Sequence, residues 1–196
     1  VGEHTLHALM KVRSDRILRI TMLLHDMGKP EYKTMDETGQ AHFKKHAIGS
    51  ERIAKEILKR LKFDNETIRT VARLVLYHDY RMPAEAKNVR RAMNKIGEDI
   101  FEYYMEVRRA DVLAQSTYLR ERKLKILDDI ETLYAKIKEA KQCVSLKELA
   151  VSGSDLIAIG IKPGKEIGEI LNRLLEMVIE DPELNQKEIL LKKATI

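Results

Sequence analysis

His25 and Asp26 are neighbours in the sequence, at the end of an apolar run that Gly28 and Pro30 bring to a close. Adjacent side chains on an α-helix diverge by roughly 100°. The two can therefore face one point only where the helix frays into a turn, and Gly28 supplies such a turn. An imidazole and a carboxylate that face one point indicate metal binding, whereas an isolated pair more often belongs to a solvated helix end.

The distribution of the histidines favours a metal. All six fall within the first 78 residues. His4 lies in an amphipathic run before the pair, His46 opens the next predicted helix, and His78 closes the one after it. Side chains from separate helix ends can converge on one centre, and imidazole with carboxylate suits Mn, Fe, Co, Ni or Zn. From the residues alone, a shared metal centre and unrelated helix-end histidines both stay open.

Asp111 stands among small and apolar side chains on a predicted helix that covers residues 98–114. An unpaired buried carboxylate would be costly, so the sequence predicts a partner for it. The ion bound by His25 is one such partner, and Arg108 or Arg109 is the other.

Composition sets the class of protein that must position these residues. The net charge is +5 and aromatic residues are few, which fits a helical protein with a charged surface and tolerates a phosphate-rich partner without requiring one. The single cysteine excludes a disulfide framework. Neither a membrane span nor a signal peptide is visible, so we expect a soluble, cytoplasmic protein. The start at Val1, inside a helical pattern, suggests a piece of a longer protein.

Apolar periodicity predicts an all-α fold. The helix that carries the pair should cover residues 15–27 with Ser14 as its N-cap, and 30–40 should be the one long loop. A narrow apolar stripe predicts a long charged helix at 116–141. We expect three parts: residues 1–115 around the histidines, a connecting helix at 116–143, and a small helical tail at 144–196.

The tail contains a predicted helix-turn-helix between Gly160 and Gly168. Lys162 and Lys165 flank the start of its second helix, where backbone N–H groups can accept a phosphate. The alternative is a compact hairpin in which the glycines serve only close packing. Arg120, Arg122, Lys123 and Lys125 give the long helix a basic face that could contact an RNA backbone as well.

The order of His4, His25-Asp26 and Asp111, with further histidines between, resembles the HD superfamily of metal-dependent phosphohydrolases. Segments 24–30, 39–50, 61–65 and 75–78 resemble more closely the HD region of bacterial CCA-adding tRNA nucleotidyltransferases and the related poly(A) polymerase family. The 160–168 hairpin and the closing helices resemble the C-terminal part of that family. The family's catalytic head, with its Gly-Ser motif and carboxylate pair, has no counterpart here, so we expect no nucleotide transfer by this chain.

The resemblance implies one or two divalent ions, of Mn, Ni, Co, Fe, Zn or Mg, and roles for particular residues. Lys29 would neutralise a substrate phosphate, or else only interact with the helix dipole. His42, placed one helical turn before His46, would contact the substrate. Asp79 departs from the family pattern and makes the second ion the less secure one. The implied metal ligands are His4, His25, Asp26 and Asp111 for the first ion, and Asp26, His46 and His78 for the second.

The implied reaction is hydrolysis of phosphate esters on nucleotides or RNA ends, including 2′,3′-cyclic phosphates and nucleoside monophosphates. Two alternatives stay open. The chain could be a non-catalytic helical body that holds tRNA around a structural or vestigial metal site, or a free-standing nucleotide phosphatase unrelated to tRNA.

Overall fold

The structure is a computed structural model that describes residues 2–195. Over those residues it contains ten α-helices and one two-stranded antiparallel hairpin, so the predicted all-α fold is confirmed. The strands β1 (Thr34–Met35) and β2 (Ala41–His42) pair with Thr34 opposite His42. The helices, numbered α1 to α10 in chain order, are Gly2–Leu9, Arg16–Leu24, His46–Arg60, Asn65–Tyr77, Ala86–Ile96, Phe101–Ala114, Arg120–Glu139, Gly153–Ala158, Lys165–Glu180 and Lys187–Ala194.

The chain divides into two compact units. The first contains the described residues up to Arg81 together with Asp99–Asp128, and the second contains Met82–Glu98 and the described residues from Asp129 onward. Helix α5 therefore belongs with the tail helices, although the sequence analysis grouped it with the histidines. The three functional parts expected from the sequence stay a prediction, since compactness is a different criterion.

Helix α2 is the central helix of the first unit because it contributes to two apolar clusters. Leu18 and Met22 are fully buried against α1 and α6. One turn further on, Leu24 packs with buried side chains of α3 and α4. The end of α2, where His25 and Asp26 follow, is thus held from both sides.

Several local expectations are corrected. The N-cap of α2 is Asp15, whose carboxylate accepts from the Leu18 amide, and Ser14 is not the cap. The expected loop at 30–40 contains β1 and leads into β2, and the long helix begins only at Arg120. Five apolar side chains assigned to helical apolar faces are exposed, namely Leu6, Met10, Leu23, Ile48 and Leu61.

The glycines of the 160–168 hairpin are required by backbone conformation and not by packing. Gly160 has a φ of 96° and Gly164 a φ of 154°, and a Cβ added at either would meet no atom within 4 Å. Both values lie in the region that favours glycine. Gly164 is the N-cap of α9, and Lys162 and Lys165 beside it are exposed.

The second unit has a core of its own around Leu156, Leu174, Val178 and Leu190. Cys143 belongs to this core, as expected for a small buried hydrophobe, and burial raises its pKa to about 11. Among the described residues, no helix is long and apolar enough to cross a membrane.

Arg90 is a buried charge that binds the end of α9. Its Nε donates to the Ile179 carbonyl at 2.8 Å and its Nη2 to the Glu180 carbonyl at 3.1 Å. These carbonyls lie in the last turn, where α-helical partners run out. The guanidinium therefore does for α9 what a C-cap does elsewhere.

We expect Arg90→Met to lower the free energy of unfolding by about 2 to 3 kcal/mol, because it leaves buried carbonyls without donors. The adjacent Arg91 is the matched control: it makes exposed ion pairs with Glu176 and Glu180, and Arg91→Met should cost less than about 1 kcal/mol. Denaturant unfolding measures both. Equal losses in the two variants would contradict a capping role.

Candidate metal centre

Asp26 lies at the centre of the histidine cluster, and its side chain is only 2% exposed. Its Oδ2 is 3.3 Å from His25 Nε2 and 3.7 Å from His4 Nε2. Its Oδ1 is 3.3 Å from His46 Nε2 and 3.6 Å from His78 Nε2. Each carboxylate oxygen thus faces a different pair of histidines.

Asp111 joins the first pair. Its Oδ1 is 3.0 Å from His4 Nε2 and 3.8 Å from His25 Nε2. We call the group of His4, His25, Asp26 and Asp111 the first cluster, and the group of Asp26, His46 and His78 the second cluster. In the trio of His4, His25 and Asp26, and equally in the second cluster, one ligand atom per residue lies within 4.8 Å of the others.

All four histidines are oriented by backbone carbonyls. The Nδ1 atom of His25 donates to Met22 O at 2.6 Å, and that of His78 donates to Val75 O at 2.7 Å. His46 and His4 repeat the arrangement on Phe43 O at 2.8 Å and Ala114 O at 3.4 Å. Because Nδ1 carries the donated hydrogen, a neutral ring turns the Nε2 lone pair toward Asp26.

This orientation creates a need for positive charge. His46 Nε2 is 3.1 Å from His78 Nε2, and His4 Nε2 is 3.3 Å from His25 Nε2. Two lone pairs at such distances repel unless a cation lies between them, and the carboxylates add negative charge. A divalent ion in each cluster satisfies this donor set, so the residues fit the metals that the sequence analysis expected.

The protonation equilibria move in the same direction. A hydrogen bond with Asp111 raises the pKa of His4. Burial alone would lower the pKa of His46, but the contact with Asp26 outweighs it and raises that pKa. Burial alone would raise the pKa of Asp26, yet the surrounding histidines hold it far below its usual range. The cluster therefore keeps its carboxylate ionised and attracts cations, whether protons or metal ions.

A close backbone approach brings Asp26 to His46. A Cβ added at Gly28 would lie 2.5 Å from the Ser50 nitrogen and closer still to the His46 carbonyl oxygen. The Gly28 amide donates to Ser50 Oγ at 2.9 Å, which fixes the contact. Gly28 is therefore required by lack of space, and its φ is not among the positive ones. The sequence analysis identified the residue but not this reason.

Lys45 precedes His46 with a φ of 65°, a conformation that costs a residue with a Cβ about 1 kcal/mol or more. It is the N-cap of α3 and makes no side-chain capping bond. The sequence gives no sign of this strained position, which turns the chain from β2 into α3.

Lys29 and His42 differ in how they meet expectation. Lys29 Nζ lies 2.5 Å from Asp26 Oδ2, at the edge of the first cluster. His42 lies in β2 and not in a helix, and its Nε2 is 2.7 Å from Asp36 Oδ2. Both line a cavity of about 300 Å³ over the cluster, together with Asp26, Phe43, Lys44, His46, His78, Asp79, Arg81, Asp111 and Gln115.

Asp111 has both of the partners that the sequence left open. While its Oδ1 faces His4, its Oδ2 lies 3.5 Å from Arg108 Nη1 and accepts from Gln115 Nε2 at 2.8 Å. Arg109 instead pairs with Asp128. The sequence analysis missed Gln115, although its position four residues after Asp111 at a helix end was a usable signal.

The sequence model of a family described as tRNA nucleotidyltransferase domain 2 matches residues 40–194. That range covers more than half of the chain and includes His46, His78 and Asp111. The chain belongs to this tRNA nucleotidyltransferase family. The resemblance to tRNA nucleotidyltransferases is thereby confirmed, while membership of the HD superfamily stays a prediction.

Curated relatives of this tRNA nucleotidyltransferase-family chain agree with that assignment. It is 30% identical over 183 residues to an A-adding tRNA nucleotidyltransferase of Deinococcus radiodurans, covering 89% of this chain and 41% of the relative. It is 29% identical over 189 residues to a CC-adding tRNA nucleotidyltransferase of Thermus thermophilus, covering 91% and 41%. The chain thus spans about two fifths of the length of these relatives. No solved structure matches it at comparable significance.

We expect Gly28→Ala to lower the free energy of unfolding by about 1 to 3 kcal/mol, because the methyl group must push α3 away from Asp26. Gly168→Ala is the matched control. Gly168 lies within α9 with no atom within 4 Å of an added Cβ, so alanine should stabilise by about 1 kcal/mol. Thermal and denaturant unfolding measure both. A Gly28→Ala protein as stable as the wild type would contradict the close approach.

Proposed function

We propose that the cluster around Asp26 binds two divalent metal ions and hydrolyses phosphate esters on nucleotides or RNA ends. The observation that carries the proposal is the division of the Asp26 carboxylate, with one oxygen toward His4 and His25 and the other toward His46 and His78. Two ions bridged by one carboxylate are a recurrent arrangement in phosphate ester hydrolysis. The proposal places this activity in a chain of the tRNA nucleotidyltransferase family.

The bound ions would supply a water of lowered pKa and polarise a phosphate oxygen. The protein residues would orient these components. His25 and His78 are fixed by carbonyls three residues before them, so their Nε2 atoms need little reorganisation to bind. Asp26, kept ionised, would hold both ions at one carboxylate.

The side of the cavity away from the histidines is suited to a phosphate. Lys29 reaches the cluster edge from the turn after α2, and Lys44 and Arg81 also line the cavity. Arg81 shares its charge with Asp79 at 3.1 Å. Lys29 would shift from Asp26 to a substrate oxygen once an ion neutralises that carboxylate. We therefore propose Lys29 as the substrate contact with the clearest geometry.

His42 is a weaker candidate for substrate binding. Its ring is engaged by Asp36, whose pKa is lowered to about 2 first by the Thr38 hydroxyl and then by His42 itself. A substrate would have to compete with this ion pair. His42 lies close enough to line the cavity, so its proposed role is contact with the part of the substrate beyond the phosphate.

The choice of metal follows the donors. Four imidazoles and two carboxylates suit Mn, Fe, Co, Ni or Zn better than Mg, which prefers all-oxygen sites that keep several waters. We propose a transition metal in the first cluster, where two histidines and two carboxylates are available.

A second candidate function is RNA binding by the helices outside the cluster. The relatives' names refer to tRNA, and Lys162, Lys165, Arg122 and Lys125 are exposed. Lys165 pairs only with the exposed Glu169 on the next turn, at 3.2 Å. We propose that these side chains contact RNA phosphates without reading bases.

Hydrolysis is tested by metal analysis combined with a phosphatase and phosphodiesterase panel in Mn, Ni, Co and Mg. The wild type should retain a transition metal and cleave at least one nucleotide ester. Asp26→Ala and His25→Ala should lose both metal and turnover while keeping their helicity by circular dichroism. His7→Ala is the matched control, since His7 is exposed on α1. Full metal content in Asp26→Ala would overturn the proposed site.

RNA binding is tested by titrating tRNA at several salt concentrations. The wild type should bind weakly with a steep salt dependence, and Lys162→Glu/Lys165→Glu should weaken binding and flatten the slope by about two ions. Lys192→Glu/Lys193→Glu, at the end of α10, makes the same change of charge elsewhere in the second unit. An unchanged affinity and slope in the first double variant would leave the hairpin without an RNA role.

A further inference from the structure

The two carboxylates of the candidate metal centre are held differently. Asp26 turns both oxygens toward histidines. Asp111 turns only Oδ1 toward them, at 3.0 Å from His4 Nε2, while its Oδ2 accepts from Gln115 Nε2 at 2.8 Å and lies 3.5 Å from Arg108 Nη1. The second oxygen of Asp111 is thus occupied by N–H donors on the side away from the first cluster.

The orientation of the Gln115 amide is fixed by its other neighbour. Gln115 Oε1 accepts from Lys123 Nζ at 2.9 Å. A lysine ammonium can only donate and a carboxylate can only accept. The amide must therefore present its oxygen to Lys123 and its NH₂ group to Asp111, and a flipped amide would lose both hydrogen bonds.

The backbone of Gln115 is held as well. Its carbonyl accepts from Arg120 Nη2, and its amide closes the last turn of α6 on the Asp111 carbonyl at 3.2 Å. Gln115 is therefore fixed in position by α6 and by the start of α7 before any ion binds.

This arrangement decides how Asp111 can bind a metal. A carboxylate that chelates an ion must present both oxygens at similar distances. For Asp111 that would require a rotation that breaks the hydrogen bond from Gln115 and the contact with Arg108. Held as it is, Asp111 offers one oxygen and leaves room at the first cluster for a water or a substrate oxygen.

We propose that Gln115, oriented by Lys123, is a positioning residue that keeps Asp111 a one-oxygen ligand of the first cluster. The inference rests on the proposed metal site. It also links the basic start of α7 to the metal centre, because Lys123 acts on Asp111 through a single side chain.

The test is a titration of the chain with Co²⁺, followed by visible absorption, with Gln115→Leu and Lys123→Met as variants. Gln115→Leu should weaken binding at the first cluster by about tenfold or more, as loss of a partner that orients a ligand typically does. It should also weaken the Co²⁺ bands, because a freed Asp111 binds through both oxygens and raises the coordination number. Lys123→Met should change the spectrum in the same direction by a smaller amount.

Gln186→Leu and Lys125→Met are the controls, since Gln186 bonds only an exposed turn at Glu183 and Lys125 is exposed on α7. Both should match the wild type. A Gln115→Leu protein that is merely less stable would show a lower melting temperature with an unchanged Co²⁺ spectrum, and that result would overturn the positioning role. Failure of the wild type to bind Co²⁺ would instead overturn the proposed metal site, so the two failures are distinguishable.

Discussion

The burial of the Asp26 carboxylate between two pairs of histidines is the interaction on which the first unit depends. An ionised carboxylate in a site that is 2% exposed must be compensated. The compensation comes from imidazoles on three other segments of the chain, so α1, the start of α3 and the end of α4 are all tied to the end of α2. A cation in each cluster completes the neutralisation, which makes metal binding and the local fold parts of one electrostatic arrangement.

Packing makes this arrangement possible. Leu18, Met22 and Leu24 hold α2 in two apolar clusters, and the contact of Gly28 with the backbone of α3 leaves no room for a side chain. Carbonyl acceptors then fix each imidazole before a ligand arrives. Pre-orientation of this kind lowers the cost of binding, as expected for a metal site and not for a chance cluster of histidines.

The sequence predicted the helical class and the convergence of His4, His25, Asp26, His46 and His78, because helix periodicity and residue type are local signals. It did not predict the close approach at Gly28 or the strain at Lys45, which depend on where α3 lies. It also missed the hydrogen bond of Gln115 to Asp111, because a glutamine after a helix has many possible partners. His42 was assigned to a helix, since nothing nearby in sequence reveals a hairpin of two-residue strands.

The most direct test of the account is anomalous diffraction from crystals of the chain grown with Mn²⁺. The account predicts two peaks about 3.5 to 4 Å apart. One should lie beside Asp26 Oδ2 with His4, His25 and Asp111, and the other beside Asp26 Oδ1 with His46 and His78. A fully occupied lattice of protein with no peak at Asp26, and with Lys29 still paired to its carboxylate, would contradict it.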